Sequence, residues 1–243
     1  MTTSKDATLK EDDHKVWPGA FAAYRTALRQ IKKNPGPALL FIGVYALFSV
    51  ISSIAQGGKL YADPAYAPYE DAAILIFLLA LPVYGLALAD GRKIHTAEFM
   101  RFNASKYFSI SVAVILYCFI VGLSLLLLII PVIWTAAWYA FEVYPIADRG
   151  TGPVAALKRS KQLAERHKAK VWRLIGVGIL VSILVSLPAL ALANVPYVGG
   201  IASVFAMASY IAITSVSGAI LYRWLERNTE QLDSKTVADA AAP

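Results

Sequence analysis

The chain has 243 residues, 58% of them hydrophobic and only 16% charged, with a mean hydropathy of +0.56. Soluble domains carry about 25% charged residues, so this composition excludes an ordinary soluble enzyme and indicates an integral membrane protein with several spans. The net charge of +7 is no argument for nucleic acid, because the basic residues flank apolar runs, where anionic lipid headgroups are the expected counter-charge.

Residues 1–17 are polar, carrying Lys5, Asp6, Lys10, Glu11, Asp12, Asp13 and Lys15 without an apolar core, and read as a disordered cytoplasmic tail rather than a signal peptide. A membrane domain is expected over 18–228, and a second disordered tail over 229–243. From Pro18 to Lys33 the periodicity is helical, with Phe21, Tyr24, Leu28 and Ile31 on one side and Arg25, Arg29, Lys32 and Lys33 beside them. This predicts an interfacial amphipathic helix. Asn34-Pro35-Gly36-Pro37 ends it, and a first span follows at about 38–55. The connection 56–71 is rich in Gly, Pro, Tyr and acidic residues, as expected of the outer side.

The second span is expected at 72–89, with Pro82 as a kink, and Asp90-Gly91-Arg92-Lys93 terminates it. Thr96 to Tyr107 reads as another short amphipathic segment. Tyr107 to Ile146 is almost unbroken hydrophobic sequence, far longer than the ~20 residues one crossing needs, so it is divided at Pro131 into spans at 107–130 and 132–146. Trp134 and Trp138 are then expected near the outer interface. Asp148-Arg149-Gly150-Thr151-Gly152-Pro153 is a turn, with Thr151 as the cap of a basic helix and Pro153 in its first turn. Spans at 172–193, with Pro188 inside it, and 201–222 complete the chain.

All but Lys59 of the 23 Lys and Arg residues fall on one side of this layout, which makes that side cytoplasmic and puts both termini there. The fold class is therefore an all-α membrane protein of six transmembrane helices with interfacial amphipathic helices. Sliding the first basic segment by 133 positions aligns Ala22-Ala23 with Ala155-Ala156, Arg25 with Lys158, and Ile42-Gly43-Val44 with Ile175-Gly176-Val177. Shared membrane composition explains such a match, and so does a threefold repeat of an interfacial helix plus two spans.

Chemistry-bearing residues are sparse. Glu142 is the one acidic side chain well inside a span, and a carboxylate there is a functional candidate by default. It lies about 9 Å from Asp148 along a helix, so pairing with a nearby Arg or Lys competes with proton or ion coupling. Arg149, Lys158, Arg159, Lys161, Arg25 and Arg29 are candidate contacts for lipid headgroups or a protein partner. Cys118, alone in an apolar run, and His14, His95 and His167, in separate segments, form no metal spacing. No phosphate loop, nucleophile elbow or pair of carboxylates inside the spans is present. Neither an enzyme nor a cofactor is expected.

Tyr144-Pro145-Ile146-Ala147-Asp148-Arg149-Gly150, then Ala155-Ala156-Leu157-Lys158-Arg159-Ser160, then Trp172 opening a span, together with Pro131, resemble the signature of a family of uncharacterised six-span bacterial inner-membrane proteins. That family is related to the membrane domain of glycerophosphodiester phosphodiesterases. The resemblance covers the last two-thirds of the chain, more faintly the first third, and implies a multi-pass protein of the bacterial inner (plasma) membrane. Nothing in the 243 residues reads as a soluble phosphodiesterase domain, so that activity is not expected. The first functional expectation is a non-enzymatic membrane protein that binds anionic lipid or a protein partner. The alternative is a small-solute transporter or channel with Glu142 as coupling group and Tyr45, Ser49, Ser52, Tyr84 and Tyr210 as further polar positions.

Overall fold

The structure is a computed structural model that describes residues 19–55, 80–93, 104–127, 129–192 and 198–241. Among the described residues it is all-helical, without strands. In chain order the elements are α1 (Ala20–Lys33), α2 (Gly36–Ala55), α3 (Ala80–Ala89), α4 (Ala104–Leu127), α5 (Ile129–Trp138), α6 (Val143–Arg149), α7 (Pro153–Arg166), α8 (Lys168–Ala191) and α9 (Val198–Ala241). Three stretches, Ser105–Leu126, Lys168–Ala191 and Ile201–Leu232, are long and apolar enough to cross a membrane, and Gly36–Leu47 and Ala80–Ala89 are shorter apolar helices. The described part of the expected second span is Ala80–Ala89; residues 72–79 and most of the segment 96–107 lie outside the described residues.

The helix ends follow local chemistry. Asn34 closes α1, because a residue before proline is driven out of the helical region, and its N–H returns to the carbonyls of Gln30 and Ile31. At the end of α3, Gly91 takes φ +69°, its N–H reaches Leu88 O, and Arg92 N reaches Ala87 O. That pair of bonds is a Schellman cap, which only a left-handed residue completes without strain. Gly150 at φ +65° ends α6 on Ile146 O. Pro153 is the first residue of α7, as predicted, but Gly152 holds the cap position without a side-chain bond, and the Thr151 hydroxyl, expected as the cap, is buried without a hydrogen-bond partner.

α9 is the spine: α8, α1, α2 and α7 all pack on it. Its buried positions include Ala208, Ala212, Val216, Ala219, Tyr222 and Leu225, at three- and four-residue spacing, the repeat of one helix face. The small side chains on this stripe let α1 and α3 approach closely: at Gly85 of α3 a Cβ would stand 3.0 Å from Ser215 O. Among the described residues Phe41, Tyr84, Phe141 and Tyr222 are the largest fully buried side chains. Tyr84 also donates to Asn34 O at 2.9 Å, which fastens the α1–α2 turn to α3. α4 is the opposite case, with Phe108, Ile115, Phe119, Leu123 and Leu126 exposed, a surface suited to hydrocarbon.

Three expectations are corrected. The span predicted at 132–146 is not one helix: α5 ends at Trp138, a turn occupies 139–142, and α6 follows. Ser160 bridges the break: its buried hydroxyl donates to Trp138 O at 2.8 Å and accepts from Phe141 N at 3.1 Å, in place of bonds of a continuous helix. Pro131 lies in the first turn of α5, where a missing N–H costs nothing. Trp134 and Trp138 do not stand apart from the basic connection. Trp134 packs edge-on against Trp172 at 5.5 Å, and Trp138 lies 4.8 Å from the Lys161 ammonium. The tail expected from 229 is helical through Ala241, and Thr229 is buried at 1% exposure, so core packing continues past the apolar run.

Candidate functional site

A network of ion pairs joins α3, α6, α7 and α9 at the basic end. Arg159 donates from Nε to Glu226 Oε1 at 3.0 Å and from Nη2 to Glu226 Oε2. Arg149 reaches the same Oε2 at 3.4 Å and Glu230 Oε1 at 2.5 Å. Glu226 therefore holds two guanidinium groups although its side chain is only 4% accessible. Three residues earlier on α9, Arg223 donates to Asp148 Oδ2 at 2.7 Å and to Asp90 Oδ2 at 2.8 Å. Tyr222 adds a bond to Asp148 and stacks on Tyr144, ring centres 5.5 Å apart. The hydrogen bond that Arg149 donates to Glu230 raises its pKa above the ordinary guanidinium range, and the bonds that Arg159 donates to Glu226 do the same for Arg159. Such a network gains little over apolar packing while complete and loses much when one member is removed.

Beyond the Tyr144–Tyr222 stack lies a cavity of about 370 Å³. Its walls are Ile110 and Val114 of α4, Gly178 and Ile179 of α8, and Tyr210 and Thr214 of α9. Tyr24 enters from α1, and Phe141 and Tyr144 also line it. Two glycines shape this space. A Cβ on Gly178 would meet Tyr24 Oη at 2.7 Å, and one on Gly218 would meet Tyr144 Oη at 2.5 Å. Each absent side chain thus makes room for a tyrosine hydroxyl. The Tyr144 hydroxyl donates to Ser215 O at 2.8 Å.

The residues singled out from sequence are distributed over different surroundings. Arg25, Arg29 and Lys158 are exposed. Lys161 lies 3.9 Å from Glu165 and over the Trp138 ring. Arg149 and Arg159 are drawn together by Glu226. Glu142 is buried at 6% exposure in the turn between α5 and α6, and its Oε2 has no hydrogen-bond partner. Among the described residues no lysine or arginine pairs with it, so the expected ion pair is not made there. It does not line the cavity. Of the polar positions suggested for a solute path only Tyr210 does so; Tyr45 packs on Phe41 at 6.1 Å, Tyr84 is tied to Asn34, and the side chains of Ser49 and Ser52 lie outside the description. His167 packs edge-on against Trp224 at 5.5 Å, and burial followed by the charges of Lys170 and Arg166 lowers its pKa below the usual histidine value. No group of His, Cys, Asp and Glu suited to a metal ion occurs among the described residues.

Sequence reasoning missed Asp90, Arg223 and Glu226 as a site, because each reads as an ordinary charge beyond a span end. The signal that could have raised Glu226 is its position three residues after Arg223 on one helix face, where opposite charges are neighbours. No protein-family model, curated protein or solved structure matches this chain.

Proposed function

We propose that the chain is a non-enzymatic, six-span protein of a bacterial inner membrane, with both termini cytoplasmic, that engages anionic lipid headgroups through the exposed basic surfaces of its interfacial helices. The observation that carries this reading is the division of α1 into three sectors. Ala20, Ala23, Tyr24 and Ala27 are buried against the bundle; Phe21 and Leu28 are 67% and 45% exposed; and Arg25, Arg29, Lys32 and Lys33 are exposed next to them. At ~100° per residue these sets follow one another around the helix. A helix at the edge of a bilayer needs this order, one side on protein, one on hydrocarbon and one among headgroups. Headgroup contact falls to Arg25, Arg29 and Lys158 more than to Arg149 and Arg159, whose charges Glu226 and Glu230 already meet.

A repeat supports the same reading. α1 and α7 are both 14 residues long and start 133 positions apart, and the buried Ala23, Tyr24 and Ala27 correspond to the buried Ala156, Leu157 and Ser160. We take them as two copies of one interfacial helix, each preceding a span; the third copy of the threefold scheme falls largely on residues outside the description. The full chain in nanodiscs of equal phosphatidylglycerol and phosphatidylcholine tests the proposal. Mass spectrometry of the retained lipid is expected to find phosphatidylglycerol enriched, and Arg25→Ala/Arg29→Ala/Lys32→Ala/Lys33→Ala is expected to lower that enrichment at least threefold, since each basic residue near an anionic surface is worth about 1 kcal/mol. Equal retention of both lipids by the unaltered chain would contradict it.

One observation favours a second reading, the buried Oε2 of Glu142 without a hydrogen-bond donor. A carboxyl in that state suits proton or ion coupling in a small-solute transporter. Under this reading Glu142→Gln stays folded yet abolishes a proton-coupled flux in proteoliposomes; an unchanged flux would discard it.

A further inference from the structure

The cavity between α4, α8 and α9 belongs neither to the ion-pair network nor to the basic surfaces of α1 and α7. Among the described residues its lining carries no charged side chain. The polar side-chain groups there are hydroxyls, from Tyr24, Tyr144, Tyr210, Thr214 and Ser215. A volume of about 370 Å³ lies in the range of small-molecule sites, ~300–1,000 Å³. At ~30 Å³ each, about a dozen waters would fill it, and most would face apolar walls with too few hydrogen-bond partners. An ion or a sugar would fare worse, having no charge or dense polar lining to replace its hydration. What fits is hydrocarbon with an uncharged oxygen.

The route in is also visible. Ile179 lines the cavity and is 57% exposed, so it stands at the mouth. On the facing lip, Val114 lines the cavity while its neighbour Ile115 is 65% exposed. Both lips continue into exposed apolar side chains, Phe119 along α4 and Ile183 along α8. In a membrane such a mouth opens sideways into acyl chains. We propose that the cavity is a lateral binding site for one hydrocarbon chain bearing a neutral oxygen, a hydroxyl or an ester carbonyl, which meets the hydroxyls of Tyr210 and Thr214. The proposal rests on the chain being membrane-embedded, but not on its preference for anionic lipid.

The oxygen can come from a phospholipid ester or from a free long-chain alcohol, so the full-length protein is irradiated in nanodiscs with a diazirine-bearing phosphatidylcholine in one arm and a diazirine-bearing long-chain alcohol in the other. Labelled residues are mapped by peptide mass spectrometry. Per residue, Val114, Ile179, Tyr210 and Ile211 are expected to take at least fivefold more label than the exposed Phe119 and Leu126, from one probe or both, and the productive arm identifies the source. Tyr210→Phe/Thr214→Val keeps the shape of the wall and removes two hydroxyls; it is expected to reduce cavity labelling about fivefold, the scale of a hydrogen bond or two. Label confined to Phe119 and Leu126 would overturn the site while leaving membrane embedding intact. No label on either set would overturn both. Cavity labelling unchanged in the double variant would refute recognition of the oxygen.

Discussion

Removing the Glu226 carboxylate tests whether the ion-pair network is a structural joint. In Glu226→Leu, Arg159 loses the partner of both its Nε and its Nη2, while Arg149 keeps Glu230 at 2.5 Å. Breaking a buried pair by deleting one member costs about 3–5 kcal/mol. The Arg159 side chain is 26% accessible, so water recovers part of this, and about 2–3 kcal/mol is a reasonable expectation. For a chain of this size 1 kcal/mol moves Tm by roughly 2–4 °C, so intrinsic-fluorescence melting in detergent should fall by about 4–12 °C. Arg159→Met combined with Glu226→Leu removes both charges and should recover at least half of that loss, because an apolar replacement of a whole pair is close to neutral. The comparison is Glu165→Ala, whose partner Lys161 lies 3.9 Å away with both side chains 43% accessible, an exposed pair worth less than ~1 kcal/mol. A Glu226→Leu shift no larger than that of Glu165→Ala would refute the reasoning.

Other substitutions probe the packing around the cavity and the break after α5. Gly218→Ala puts a Cβ 2.5 Å from Tyr144 Oη and should destabilise by about 1–3 kcal/mol, whereas Gly43→Ala, with no atom within 4 Å, should be neutral or slightly stabilising; equal melting temperatures for the two would contradict the close approach. Ser160→Ala strips the partners from Trp138 O and Phe141 N and should cost about 1–3 kcal/mol, read by the same melting assay, with an unchanged Tm as the contrary result. His167 has a folded pKa lowered from 6.5 by burial. Its contribution to stability is therefore present above about pH 6.5 and lost as pH falls through the folded value. The rise in Tm between pH 5 and 7.5 should be smaller in His167→Asn than in the unaltered chain, and identical profiles would contradict the assignment.

Much of the fold was legible because hydrocarbon imposes simple rules. Long apolar runs announced α2, α4, α8 and the first half of α9, and proline or glycine announced the ends of α1, α3 and α6. The fourth apolar run was misread because composition cannot register Ser160, which lies 19 residues beyond Phe141 and 22 beyond Trp138 yet bonds to both. On α1 the apolar residues were recognised but not their division, since Tyr24 faces the bundle while Phe21 and Leu28 face outward; hydrophobicity alone does not separate a protein-facing from a lipid-facing position. Arg149 and Arg159 were noticed as charges, but their pairing with carboxylates of α9, 67 to 81 residues later, was not. The cavity could not be anticipated, because it depends on the missing side chains of Gly178 and Gly218 opposite two tyrosines.

Cysteine accessibility in intact cells tests the central claim most directly. Cys118 is exposed and is first replaced by serine; single cysteines then go in at Ala62 and Tyr197, in the connections predicted to be outside, and at Lys158, exposed on α7 beside the ion-pair network. A membrane-impermeant maleimide added outside should modify Ala62→Cys and Tyr197→Cys and leave Lys158→Cys untouched until the cells are opened. Modification of Lys158→Cys in intact cells, with Ala62→Cys and Tyr197→Cys protected, would contradict a cytoplasmic basic end and the six-span arrangement built on it.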